Sequence, residues 1–260
     1  MRGERLNDGL TAVVVGEGPP LVTLPGLGKG ADLAVKVPPL AGFSATVLAR
    51  GLNRRVHHIQ RPPAMRVGTT LAELAGWHAT ALRERFDGAV DVMGTSGGGA
   101  TALQLAIDHP DVVRRLILCT IASRPGEQGK KTLLRLTRGE REGRNDPWAA
   151  SGLVTRGPRR VLTFVAYAAA AVGGRKRAPG EFALVEAVQN WDVTDRLGEV
   201  AAPTLVIAGT RDAIIPFELA RATAAGIPDA TLLAIEGGDH MTTMFDRRVA
   251  PAIREFLDHR

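Results

Sequence analysis

Apolar runs of strand length alternate with helix-length segments along most of this chain, and that alternation restricts the fold more than any other feature. "VDVM" (Val90–Met93) precedes "GGGATALQLAID", and "RLILCT" follows. Later "APTLVIAG" precedes "PFELARATAAG", and "ATLLAIEGG" precedes "VAPAIREFLDHR". The strand runs are continuously apolar rather than alternating, as expected of strands covered on both faces. Strand–helix alternation of this kind specifies an α/β protein, with a mostly parallel central sheet and helices on both faces. Upstream, "TAVVV" and "LVTL" read as strands separated by a "GEGPP" turn, and "RVHHI" as a weaker strand. Leu71, Leu74, Ala75, Ala79 and Leu82 fall at helical spacing within Thr70–Phe86.

From Arg124 to Arg196 the rhythm breaks. The segment opens with Gly, Arg and Lys, then carries helical pieces such as "RRVLTFVAYAAAAV" and "EFALVEAVQNW". It is too long for an ordinary connection and too apolar for a linker. The expected organisation is a core of residues 1–123 and 197–260 with a helical insertion, 124–196, over one end of the sheet.

Composition bounds the function classes. Of the 260 residues 45% are apolar and the net charge is +6, carried mainly by arginine. A solvated basic surface explains that charge, and no helix-turn-helix, zinc-finger or RNP pattern points to nucleic acid. The longest apolar run, from Val161, is too short to span a bilayer. "MRGERLNDGL" has charges and no apolar core, so a cytoplasmic location is expected. Cys119 is the one cysteine. It permits no intrachain disulfide or cysteine-based metal site, and its apolar setting suits a core thiol.

"GTSGG" places Ser96 between Gly94 and Gly98, where a strand gives way to a helix. A serine on such a turn has a strained backbone, and side chains two residues to either side would collide, which calls for glycine there. Gly97–Gly99 open the helix with free N–H groups and a positive dipole end, suited to an oxyanion. A P-loop is excluded because no lysine follows at the required position, and "PGLGKG" lacks the dinucleotide-loop spacing.

A serine nucleophile needs a base, and the base an orienting acid. His240, in "IEGGDHMT" after the last strand, can reach the sheet end that holds Ser96. His57 and His58 (in the weak strand), His78 (mid-helix), His109 (at a helix end) and His259 (beside the chain end) each have a structural reading instead. Asp212 follows "TLVIAG" at the same sheet edge and is the expected acid, giving the order Ser, Asp, His. Asp239 is the rival, although side chains adjacent in a loop usually diverge. Asp192 and Asp195 precede that strand, at the wrong end.

"LPGLG", "GTSGGG", "HPDVVRRLIL", "PTLVIAGTRDAIIP" and "GGDH" together resemble the α/β-hydrolase-fold superfamily, over nearly the whole chain. The resemblance implies Ser96 as nucleophile, Asp212 as acid and His240 as base. It implies an oxyanion hole made by the backbone N–H groups of Leu27 and Gly97, and a cap in the insertion after the sixth strand. Two positions depart from the pattern. Pro25-Gly26 stands where many members have His-Gly, and "IQRPPAMRVGTT" replaces an acidic, glycine-rich turn after the fourth strand.

The expected activity is hydrolysis of a carboxylic ester or lactone through an acyl-enzyme on Ser96, with a small-molecule substrate and no metal or organic cofactor. Thioester hydrolysis, C–C bond hydrolysis and cofactor-free haloperoxidase or perhydrolase chemistry use the same three residues. A non-catalytic ligand-binding role on the same fold is the alternative of a different class. Phe164 and Tyr167, three apart in the apolar cap segment, are either a wall of the substrate pocket or packing of the cap against the core.

Overall fold

The computed structural model of the chain describes residues 3–27, 33–35, 37, 39–141, 161 and 179–258. Their centre is an eight-stranded sheet: β1 (Gly3–Arg5), β2 (Thr11–Val15), β3 (Pro20–Leu24), β4 (Arg55–Gln60), β5 (Val90–Thr95), β6 (Val113–Cys119), β7 (Thr204–Gly209) and β8 (Ala230–Ile235). The spatial order is β1-β2-β4-β3-β5-β6-β7-β8. The β1–β2 and β2–β4 pairs are antiparallel, and every pair from β4 to β8 is parallel.

Helices α1 (Pro39–Leu52), α2 (Leu71–Arg85), α3 (Gly97–Asp108), α6 (Phe217–Gly226) and α7 (Val249–Asp258) connect or follow the strands. The helices α4 (Glu127–Arg141) and α5 (Pro179–Gln189) lie between β6 and β7. The continuous apolar runs are explained by two buried faces. Along β6, Leu116 and Leu118 join one core with α2, α3 and α6, whereas Ile117 and Cys119 join a second with α1 and α7. The same alternation holds for Val206 and Ala208 against Leu205 and Ile207 in β7. Successive side chains of a strand point to opposite faces, so a strand covered twice must be apolar throughout. Burial also pushes the Cys119 thiol well above its usual pKa, consistent with a core role.

Helix α2 begins with a reciprocal cap. The Thr70 hydroxyl accepts from the Glu73 N–H at 3.1 Å, and the Glu73 carboxylate accepts from the Thr70 N–H at 2.8 Å. Each of these bonds satisfies a donor that a helix start leaves open. "TAVVV" and "LVTL" are consecutive but not neighbours, because β4 pairs with both of them. The weak strand "RVHHI" is thus an interior strand, and its histidines are accommodated by specific contacts. His58 Nδ1 lies 2.9 Å from Thr23 Oγ1, and the His57 ring meets Phe86 edge-on. The charged start of the insertion forms the 15-residue helix α4, which composition had not signalled.

His57, His58 and His78 have pKa values lowered to about 4, chiefly by burial. Arg85 and Arg55 lower His57 further, and Arg61 lowers His78. Each folded pKa lies below the unfolded value of about 6.5, so the unfolded chain binds the additional protons within that window. Stability is therefore fully present above about pH 6.5 and falls as the pH drops toward 4. Each fully shifted group contributes a slope of about 1.4 kcal/mol per pH unit. Urea midpoints measured from pH 7 to pH 5 are expected to decline. A flat profile would mean that these histidines are protonated in the folded protein.

Among the described residues no helix is long and apolar enough to cross a membrane. The chemistry-bearing side chains meet at the C-terminal edge of the sheet.

Candidate active site

The parallel strands β3, β5 and β7 bring three loops to one edge: Pro25–Leu27, the β5–α3 turn and the loop bearing Asp212. Ser96 occupies the β5–α3 turn with φ 51° and ψ −124°. A non-glycine residue in such a region carries strain of about 1–3 kcal/mol and persists only where its surroundings enforce it. The enforcement is visible. The Ser96 N–H donates to the Cys119 carbonyl at 2.9 Å, and the Ser96 carbonyl accepts from the N–H groups of Gly99 and Ala100. A Cβ on Gly94 would lie 2.5 Å from Gly99 Cα, and one on Gly98 would lie 2.2 Å from the Leu24 carbonyl oxygen. These two glycines let the strand, the helix and the β3 loop approach closely enough to form the turn.

His240 is 144 residues away in sequence, yet its Nε2 lies 3.0 Å from Ser96 Oγ. Its Nδ1 lies 2.9 Å from Asp212 Oδ2. The other Asp212 oxygen, Oδ1, accepts from the N–H groups of Ile214 and Ile215 at 2.8 and 2.9 Å. The carboxylate is thus oriented on one side by backbone and faces the ring on the other. The side chains of His240 and Asp212 are 8% and 1% exposed, so water screens this pair weakly. With Nδ1–H donating to Asp212, Nε2 is left to accept from the Ser96 hydroxyl. A proton can pass from that hydroxyl to the ring along a single line of contacts.

Asp239 does other work. Its Oδ1 accepts from the Met241 and Thr242 N–H groups and from the Thr242 hydroxyl, at 2.9–3.1 Å. It shapes the loop that presents His240. This explains why the two candidate acids, Asp212 and Asp239, are not equivalent. His109 caps the C-terminal end of α3, and His78 bonds the Leu74 carbonyl within α2. His57 and His58 remain in β4, and His259 lies outside the described residues.

The loop Pro25–Leu27 runs beside Ser96. A Cβ on Gly26 would lie 3.1 Å from Ser96 Cβ and 3.7 Å from Ser96 Oγ. Among the described turns and loops, neither the Leu27 nor the Gly97 N–H donates to a backbone acceptor. Helix α5 reaches the same place, since buried Leu184 would meet a Gly97 Cβ at 3.1 Å. Helix α4 starts against the Asp212 loop, where a Cβ on Gly129 would lie 2.2 Å from the Ile214 carbonyl oxygen. Phe164 and Tyr167 lie outside the described residues. Among the described residues, no group of three or more His, Cys, Asp or Glu side chains could hold a metal.

The sequence profile of the Alpha/beta hydrolase family matches residues 21–252. The chain belongs to this family. Membership supports hydrolase activity in general. The chain is 28% identical over 199 residues to a candidate carbamate hydrolase, RutD, of Variovorax paradoxus, covering 72% of this chain and 73% of the relative. It is 32% identical over 178 residues to a poly(3-hydroxyalkanoate) depolymerase of Ectopseudomonas oleovorans, covering 65% and 61%. Among solved structures, the enol-lactonase of Burkholderia xenovorans LB400 has a TM-score of 0.73 at 20% identity, covering 99% of this chain and all of that one. A hydrolase of Pseudomonas aeruginosa has a TM-score of 0.72 at 19% identity, covering 96% and 94%. At these identities the structural likeness is one of fold.

Proposed function

We propose that the protein is a serine hydrolase that cleaves a carboxylic ester or lactone of a small-molecule substrate through an acyl-enzyme on Ser96. The observation that carries this reading is one imidazole, His240, within hydrogen-bonding distance of both Ser96 Oγ and Asp212 Oδ2. Ser96 Oγ attacks the carbonyl carbon as His240 Nε2 takes its proton. Asp212 holds the ring in the required tautomer and stabilises the imidazolium. The tetrahedral oxyanion accepts hydrogen bonds from the Leu27 and Gly97 N–H groups, which act most strongly on charge that develops in the transition state. The C–O bond then breaks, and His240 returns the proton to the leaving oxygen. Water repeats the sequence on the acyl-enzyme and releases the acid.

An ester is favoured over the other bonds open to this arrangement because the depolymerase relative acts on a polyester by name. Residues 124–196 are proposed as a cap over the site, for which the placement of α4 and α5 beside Asp212 and Ser96 gives support at both ends. A panel of p-nitrophenyl esters, lactones and acyl thioesters tests the bond type. The expected result is hydrolysis of an ester or lactone, with an acyl adduct of matching mass trapped on the protein by acid quench. Turnover confined to thioesters or to C–C bonds would reassign the substrate class while keeping the nucleophile.

A further inference from the structure

We infer that Arg61 is a positioning residue for the oxyanion hole: its guanidinium fixes and polarises the Gly26–Leu27 peptide, so that the Leu27 N–H faces Ser96. This rests on the proposed serine-hydrolase reading and adds to it a residue that the reaction does not touch.

The sheet order supplies the geometry. Strand β3 lies between β4 and β5, and it leads directly into Pro25, Gly26 and Leu27. Arg61 follows the last residue of β4, and Ser96 follows the last residue of β5. The parallel register pairs Thr23 with His58 and with Met93. Continuing it three residues sets Gly26 beside Arg61 on one flank and beside Ser96 on the other. Arg61 is 5% exposed, and its Nη1 donates to the Gly26 carbonyl oxygen at 3.2 Å.

The described chain contains no cis peptide bond. In a trans peptide the C=O and the following N–H point in opposite directions. A carbonyl held toward the β4 flank therefore turns its partner, the Leu27 N–H, toward the β5 flank. That is the side of Ser96. The two proposed oxyanion donors differ in how they are held. The Gly97 N–H is set by the first turn of α3, whereas Pro25–Leu27 belong to no helix or strand. A loop donor needs an external restraint to be in place before charge develops. Arg61 provides it from a position largely removed from solvent, where a charge-assisted hydrogen bond is stronger than a neutral one. A cation at the carbonyl oxygen also draws electron density from the amide, making its N–H a better donor. The neighbouring His78 is held neutral, its pKa lowered to about 4 mainly by burial, so it adds no competing charge beside the guanidinium.

The test uses the full-length protein with Arg61→Gln and Arg61→Lys. Three quantities are read: kcat and KM for a p-nitrophenyl ester, the inhibition constant of an alkylboronic acid that forms a tetrahedral adduct on serine, and the rate of fluorophosphonate labelling. Loss of one oxyanion donor costs roughly 10²- to 10³-fold in kcat. A misplaced donor should cost somewhat less. Arg61→Gln is expected to lower kcat about 30- to 100-fold with KM within about twofold, and to weaken the boronic acid by a similar factor. Arg61→Lys, which keeps the charge but not the planar fork, is expected to lower kcat about three- to tenfold at constant KM. Folded Arg61→Gln with kcat within threefold of wild type overturns the inference. So does a loss confined to KM. If Arg61→Gln does not fold, Arg61→Lys decides: a several-fold fall in kcat at constant KM supports the role, and an unchanged kcat overturns it. Wild-type protein that fluorophosphonate does not label at Ser96 removes the underlying serine-hydrolase reading. Labelled wild type with unaffected Arg61 variants removes only the role of Arg61.

Discussion

Ser96→Ala is expected to lower kcat for ester hydrolysis by about 10⁴-fold or more, because groups that act as one catalytic unit are each needed for most of its rate. The change deletes one hydroxyl and keeps the Cβ. The backbone restraints on the turn, from Cys119, Gly99 and Ala100, do not involve the hydroxyl. Alanine inherits the same positive φ and much the same strain. The unfolding midpoint should therefore stay close to that of wild type, and the loss should appear in kcat alone. Retention of a tenth of wild-type activity would mean that another residue forms the covalent bond.

The second large effect is Asp212→Asn, expected to cost about 10⁴-fold in kcat. The hydrogen bonds around Asp212 account for so large an expected effect from a nearly isosteric change. The Ile214 and Ile215 N–H groups require an acceptor, so the asparagine carbonyl oxygen takes the place of Oδ1. Its NH2 group then faces His240 Nδ1, where the carboxylate oxygen had been. Nδ1 must become the acceptor, the ring proton moves to Nε2, and His240 can no longer accept from Ser96. Asp239→Asn has no such consequence. It disturbs the loop bonds to Met241 and Thr242 and is expected to lower kcat by no more than about tenfold, the scale of a small displacement of a catalytic group rather than its loss. Comparison of the two variants at saturating ester settles the ranking. A larger loss in Asp239→Asn would transfer the orienting role to Asp239.

Much of the fold could be read from local pattern. Strands β6 and β7 contribute to cores on both faces of the sheet, and that double burial is written directly as the apolar runs Leu116–Cys119 and Leu205–Ala208, whereas the edge strand β8 leaves Thr231 and Ala234 exposed. Helix α3 follows from the glycine-flanked serine, and α2 from the helical spacing of apolar residues within Thr70–Phe86. The residues Ser96, Asp212 and His240 were legible because each stands just after a strand at the same sheet edge. Long-range relations were not legible. The sequence placed β2 beside β3 along the chain, but only the fold inserts β4 between them. Arg61 has no local signature, since its contact with Gly26 exists through the order β4-β3-β5. Asp239 looked like a rival acid because adjacency in sequence does not reveal the backbone donors that occupy its carboxylate. Helix α4 was hidden by its charge and glycines, and it is stabilised where Gly129 packs against the Asp212 loop.

The central claim is an activated serine at position 96. Its most direct test is fluorophosphonate labelling of wild type, Ser96→Ala and His240→Ala, followed by digestion and mass spectrometry. One label on the Ser96 peptide is expected in wild type, none in Ser96→Ala, and labelling slowed by at least about 10³-fold in His240→Ala, where the base is missing. A label on any other residue, or an equal rate with and without His240, is incompatible with Ser96 as a nucleophile activated by that imidazole.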